Sequence, residues 1–148
     1  MSELITADLV DLDLRGADRH EATAALAGRL AAAGRVTDTE GFLADVRARE
    51  AQMPTGIEGG IGIPHARSAH VTAPSLAFGR SEAGIDFGAD DGPADLVFLI
   101  AAPEGGGSEH MTILASLARR LVHRDFTTAL RDAPDAAAAA ALINSALA

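Results

Sequence analysis

Asp95-Leu96-Val97-Phe98-Leu99-Ile100-Ala101 places six apolar residues in succession behind a single acid. A run of that length reads as a strand covered on both faces and suits the centre of a sheet. Before it, Ser75 to Gly79 and Ile85-Asp86-Phe87 read as further strands, and Ile61-Gly62-Ile63 as a short one leading into Pro64-His65. Leu9-Val10-Asp11-Leu12-Asp13-Leu14 alternates apolar and acidic residues, the period of a strand with one buried face. Helices read from their end signals. Asp18 with Glu21 forms a capping box ahead of Ala22 to Ala33, and Gly34 stands where a helix C-terminus favours glycine. Thr37 with Glu40 repeats the box before a second helix that carries Phe42, Leu43 and Val46 and runs to about Arg49. Beyond Pro103 and Gly105-Gly106-Gly107, Ser108 can cap a third helix with Met111, Ile113, Leu114, Leu117, Ala118 and Leu121 on its buried side. Asp125 and Asp135 read as caps for two final helices, the last of them rich in alanine.

Composition bounds the rest. The 148 residues suit one compact domain, 1–148, with no interior linker or repeat, and a chain of this size can bury roughly 68–70% of its unfolded surface. Its five aromatic residues are all Phe, so the core must be built from Ala, Leu, Ile and Val, and a soluble α/β or helical domain fits. With a formal net charge of −9 and its cations scattered, the chain lacks the footprint of a nucleic-acid binder. The longest apolar runs, Leu96 to Ala102 and Ala136 to Ile143, fall far below the ~18 residues of a membrane span. The acidic start Met1-Ser2-Glu3-Leu4 shows no secretory signal, and the absence of cysteine excludes disulfides and thiolate metal sites. A cytoplasmic setting is the simplest reading.

The chemistry is concentrated in Thr55 to Ala66, T-G-I-E-G-G-I-G-I-P-H-A. Its glycines let backbone and partner approach closely, while Pro64 stiffens the residue that holds the imidazole, so His65 is presented at a strand end beside an irregular loop. Taken alone, the histidine has an incidental role as a competing reading, since most histidines have no catalytic duty. Gly59-Gly60-Ile61-Gly62 is not a nucleotide loop: no Lys-Ser or Lys-Thr pair follows and G-x-G-x-x-G is absent, so ATP is not the expected donor and no cofactor is called for.

Around this segment the chain resembles the fructose and mannitol class of enzyme IIA domains of the sugar phosphotransferase system. The resemblance rests on Arg49-Glu50, Thr55-Gly56, Gly60-Ile61-Gly62-Ile63-Pro64-His65-Ala66-Arg67-Ser68, Leu76-Ala77-Phe78, Gly84-Ile85-Asp86-Phe87-Gly88, Leu99-Ile100-Ala101-Ala102-Pro103 and His110 through Arg119, in that order over nearly the whole chain. Gly62 departs from it, since the family more often has Ala there. The resemblance implies an α/β domain whose mixed parallel and antiparallel sheet is flanked by helices. It implies that the phosphocarrier protein HPr phosphorylates His65 on Nε2, and that the group then passes to a cysteine of a IIB domain, which phosphorylates sugar taken up through a membrane IIC component. With no cysteine here, the IIB step belongs to another chain or to another part of a longer IIA-IIB-IIC polypeptide of which this is the amino-terminal piece.

The resemblance also implies that Arg49 stabilises phosphate and that His110 assists. Phosphoryl transfer runs through an in-line transition state in which positioning and charge neutralisation do most of the catalysis. A neutral imidazole suits it, because one nitrogen attacks while the other, as N–H, is fixed by a hydrogen bond. A guanidinium at Arg49 can clamp phosphate oxygens through two hydrogen bonds; the alternative is a solvated arginine favoured by the C-terminal helix dipole. His110, in the first turn of the third helix, would put phosphate near free backbone N–H groups, or else points to water. Thr55 either gives its hydroxyl to phosphate or caps the turn at Gly56, and Glu109 either orients His110 or is a solvated helix-start acid. His20, His70 and His123 read as surface residues.

Two other functions stay open at this level. A regulatory module of the nitrogen-related enzyme IIA branch would share the histidine but act through binding; Gly84 to Gly88 and the Leu9 to Leu14 pattern lean to the fructose branch. A metallohydrolase built on His65, His70, His110 and Glu109 would lack H-E-x-x-H and any compact ligand pair, so no metal is expected.

Overall fold

The computed structural model describes residues 4–105 and 109–147, with the side chains of Glu109 and His110 outside that description. A single 3-10 turn, Ala7–Leu9, enters β1 (Val10–Asp11), followed by α1 (Arg19–Ala32) and α2 (Thr39–Gln52). Then come β2 (Gly56–Ile57), β3 (Ile61–Gly62), β4 (His65–Ser68), β5 (Ser75–Ile85) and β6 (Ala94–Pro103). The helices α3 (Glu109–Leu121), α4 (Arg124–Asp132) and α5 (Ala136–Leu147) complete the chain. Among the described residues no helix is long and apolar enough to cross a membrane.

The sheet is mixed, as expected, and β6 is its axis. Leu96 to Ala102 are each at most 2% exposed, because helices cover both faces of this strand. Such burial stabilises by roughly 1.5–3 kcal/mol for each large side chain. Phe98 also meets Phe78 of β5 in a tilted ring contact at 5.0 Å between centroids. On one side β6 pairs antiparallel with β5, which pairs parallel with β1. On the other side it pairs parallel with β3 and then with β4, while β2 lies antiparallel on β3.

Those two short strands are one run interrupted at Ile63-Pro64. Ile61 lies opposite Leu96 and His65 opposite Ile100, so the register does not slip across the break. Pro64 has no N–H to give the ladder, but its carbonyl still accepts from the Ile100 N–H at 3.0 Å. His65 is therefore fixed where the edge run resumes. Gly62 has its own reason: a Cβ there would sit 2.6 Å from the Phe87 ring, so the glycine lets Phe87 close over β3.

Several local expectations are met. Asp18 caps α1 by accepting from the Glu21 N–H at 2.9 Å, Gly34 adopts φ +77°, and Asp135 accepts from the Ala138 N–H at 2.8 Å. Others are corrected. The expected strand from Leu9 to Leu14 shrinks to two residues, because Leu9 and Val10 are both buried and Asp11 closes a turn by accepting from the Asp13 N–H. Asp38, not Thr37, caps α2, since Thr37 gives both its N–H and its hydroxyl to the His70 carbonyl. Asp125 lies in the first turn of α4 instead of capping it, with His123 at the cap position. Ile85 is the last residue of β5, so no separate strand forms at Ile85-Asp86-Phe87. On α3, Leu117 and Leu121 are buried, but Met111 is 55% exposed and Ala118 faces out, so the helix lies against the sheet along a narrower stripe than its sequence suggests. The proposed Ser108 cap falls outside the described residues.

The central strand sets a stability expectation. Phe98→Ala should cost about 3–5 kcal/mol, read as a lower urea midpoint with unchanged slope. A loss under about 1 kcal/mol would show that the strand is not the packed axis.

Candidate functional site

The C-terminal turn of α2, the start of β4 and the first turns of α3 enclose an open cleft of about 430 Å³. Asp45, Arg49, Gln52, His65, Arg67, Met111 and Leu114 are among the groups that line it. His65 is half-buried, and its Nδ1 lies 2.8 Å from the carbonyl oxygen of Ile63. A carbonyl only accepts, so Nδ1 carries the proton and Nε2 keeps its lone pair. Among the described residues none hydrogen-bonds Nε2. Burial, the largest influence, pushes the His65 pKa below the ordinary imidazole value; the Ile63 carbonyl opposes it, Arg49 adds to the lowering and Glu50 opposes it. The ring is thus neutral near pH 7, with Nδ1 tied and, among the described residues, no hydrogen bond to Nε2.

Arg49 shares the cleft, and its Nη1 donates to the Met53 carbonyl at 3.2 Å, which anchors one edge of the guanidinium. Its neighbour points the other way. The Glu50 carboxylate is 7% exposed and accepts from Arg19 Nη1 at 3.0 Å, from the Thr55 N–H at 2.9 Å and from the Thr55 hydroxyl at 2.7 Å. Three donors satisfy a carboxylate that would otherwise carry a heavy desolvation penalty.

Residues 3–146 match the family model described as phosphoenolpyruvate-dependent sugar phosphotransferase system, EIIA 2. The chain belongs to that family. Over 134 residues it is 40% identical to the "PTS system fructose-specific EIIA component" of Haloferax volcanii, covering 90% of this chain and 87% of that one. It is 35% identical over 145 residues to the "PTS system fructose-specific EIIABC component" of Bacillus subtilis, covering 97% of this chain but only 23% of that longer one. The crystal structure of the nitrogen regulatory protein IIA-Ntr from Neisseria meningitidis superposes with a TM-score of 0.86 at 25% identity, covering 95% and 96% of the two chains. A complex of enzyme IIAMTL with phosphorylated enzyme IIBMTL from Escherichia coli shares the fold, with a TM-score of 0.77 at 22% identity and 95% and 97% coverage.

This enzyme IIA domain, a phosphotransferase component by its family, brings His65 and Arg49 into one cleft. Position 110 falls in the first turn of α3, but the side chains of His110 and Glu109 lie outside the described residues. Thr55 is not brought to the cleft as a phosphate donor: it is 7% exposed and its hydroxyl proton is given to Glu50. His20 and His123 are exposed, whereas His70 is half-buried, with Nδ1 3.9 Å from Asp38. Among the described residues no group of three or more His, Cys, Asp or Glu is arranged to hold a metal.

Sequence reading passed over Glu50, Arg19, Asp45 and Arg67. Glu50 stood in the Arg49-Glu50 pair, yet nothing local separates a buried acid at a helix end from a solvated one; only the fold brings Arg19 and Thr55 to it. Asp45 accepts from the Ser68 hydroxyl at 2.6 Å, and Arg67 donates to the Glu104 carbonyl at 3.0 Å, so both cleft walls are tied across elements.

Nitrogen-15 NMR of the histidine rings should show His65 in the Nδ1–H form at neutral pH and titrating below the ordinary imidazole range. A depressed folded-state pKa gives His65 a stability contribution that is full above the unfolded value and lost as pH falls through the folded one. An Nε2–H ring, or a titration at or above the ordinary range, would contradict the geometry.

Proposed function

We propose that His65 Nε2 accepts a phosphoryl group from phospho-HPr and passes it to the cysteine of a IIB domain, with fructose as the sugar finally phosphorylated. The observation that carries this reading is the tied Nδ1 of a neutral His65 beside Arg49, whose ring Nε2 has no hydrogen-bond partner among the described residues. In the first step the Nε2 lone pair bonds to phosphorus as the donor's bond to phosphorus breaks, and the donor keeps that electron pair. The acceptor ring gains positive charge, which its Nδ1 proton shares with the Ile63 carbonyl. In the second step the cysteine thiolate attacks phosphorus, the Nε2–P bond breaks and the ring returns to neutral.

Arg49 would neutralise the charge spread over the phosphoryl oxygens, and His110 would assist from the start of α3. The sugar is proposed from the fructose-specific names of the Haloferax volcanii and Bacillus subtilis proteins, and the IIB partner from the Escherichia coli complex. The length of the Bacillus subtilis protein supports a IIA-IIB-IIC fusion as one setting for this domain, at the cytoplasmic face. The fold likeness to IIA-Ntr favours a second reading, in which the same phosphohistidine governs binding to regulatory partners.

Incubation with phosphoenolpyruvate, enzyme I and HPr should give an acid-labile, alkali-stable adduct on the wild-type chain and none on His65→Ala. Arg49→Ala should slow uptake about 10²–10³-fold, and replacing His110 should slow it without abolishing it. No label on the wild-type chain with active donors, or equal label on His65→Ala, would overturn the assignment. Rescue of fructose phosphorylation in an extract lacking IIA would decide for transport; partner binding without rescue would decide for regulation.

A further inference from the structure

The antiparallel pairing of β2 with β3 puts Gly56 opposite Gly62, and the same register continues to Thr55 opposite Ile63. At that pair only half of the ladder is made. The Ile63 N–H donates to the Thr55 carbonyl at 3.1 Å, which marks the two as a hydrogen-bonded pair whose reciprocal bond would run from the Thr55 N–H to the Ile63 carbonyl. That reciprocal bond is replaced. The Thr55 N–H donates to Glu50 Oε2 at 2.9 Å, and the Ile63 carbonyl accepts from His65 Nδ1 at 2.8 Å.

We propose that Glu50 is a positioning residue for the acceptor histidine: by capturing the Thr55 N–H it keeps the Ile63 carbonyl out of the β2–β3 ladder and open to the His65 ring. The proposal rests on His65 being the phosphoryl acceptor. Glu50 is built for the task, because Thr55 reaches it through both backbone and hydroxyl and Arg19 holds it from the start of α1. The segment it pins also includes Met53, whose carbonyl anchors Arg49, so one buried acid sets the place of both reacting groups. Glu50 acts through the position of Thr55 and Ile63, and it does not touch the reacting atoms. Its charge has a second effect, since the carboxylate favours positive charge on the His65 ring.

Among the described residues the charged groups around that ring are Asp45, Arg49 and Glu50 of α2 and Arg67 of β4, with Asp45 occupied by Ser68; on α3 the described cleft residues are Met111 and Leu114. Two substitutions at Glu50 therefore separate position from charge. In Glu50→Gln the amide oxygen can take the Thr55 N–H while its NH₂ donates to the Thr55 hydroxyl, so the frame survives without the charge. In Glu50→Ala the Thr55 N–H returns to the Ile63 carbonyl and competes with the ring.

The test is nitrogen-15 NMR of His65 in the wild type, Glu50→Gln, Glu50→Ala and Thr55→Val chains, together with the rate of phosphoryl uptake from phospho-HPr. Glu50→Gln should keep the Nδ1–H form and move the His65 titration to lower pH. Glu50→Ala should give a mixture of Nδ1–H and Nε2–H rings and slow uptake about tenfold or more, since small misplacements of reacting groups carry penalties of that order. If Glu50→Ala does not fold, Thr55→Val, which loses only the hydroxyl bond, should shift the tautomer and rate partway in the same direction. Wild-type ring shifts and uptake in a folded Glu50→Ala chain, or in Thr55→Val where that variant stands in for it, would overturn the proposal. A wild-type chain that takes no phosphoryl group would sink the carrier reading, and the tautomer comparison would still decide the role of Glu50.

Discussion

One hydrogen bond, from the Nδ1–H of His65 to the carbonyl of Ile63, carries the site. An imidazole has two nitrogens and one proton to place between them, so whichever nitrogen is tied decides which is left to react. A backbone carbonyl is a good choice of tie because it cannot donate, and a half-buried ring resists the protonation that would remove its lone pair. The geometry asks for a carbonyl that leaves a strand without being claimed by a neighbouring one. Pro64 helps provide it: its own carbonyl faces β6, the carbonyl before it faces the opposite edge, and the ring prevents the chain from closing a regular ladder.

From that bond the rest of the architecture can be followed outward. β6 anchors the broken strand because its apolar run is buried on both faces, and the unbroken register fixes the height of His65 on the sheet. Glycine at position 62 lets Phe87 cover the strand from one side, while the Gly56 N–H binds the Phe87 carbonyl at 2.9 Å from the adjoining turn. The second helix then supplies Arg49 to the cleft and Glu50 to the interior from consecutive residues. Adjacent positions on a helix face different directions, which is why one short motif serves both the surface and the core.

Much of this was legible in the sequence. Periodicity and end signals located α1, the central strand and the alanine-rich last helix. The glycine-rich segment with Pro64-His65 drew attention to the histidine that the structure places in the cleft, while its proposed acceptor role came from the family resemblance. Elements misread had local signals that tertiary contacts overrode. Thr37 looked like a cap but serves the chain at His70, and Leu9 to Leu14 alternated like a strand but is bent by the Asp11 turn. Met111 fitted the apolar stripe of its helix yet stands exposed in the wall of the cleft. Thr55 and Glu50 were the hardest to read, because their meaning depends on a single N–H being diverted across five residues of chain, which no pattern of residue types displays.

The central claim is that Nε2 of one neutral imidazole takes the phosphoryl group. Its most direct measurement is nitrogen-15 and phosphorus-31 NMR of the isotope-labelled chain after phosphorylation by phospho-HPr. The account predicts a one-bond phosphorus–nitrogen coupling at Nε2 of His65, with the Nδ1 proton retained. A coupling at Nδ1 of His65, or on any other histidine, would contradict it.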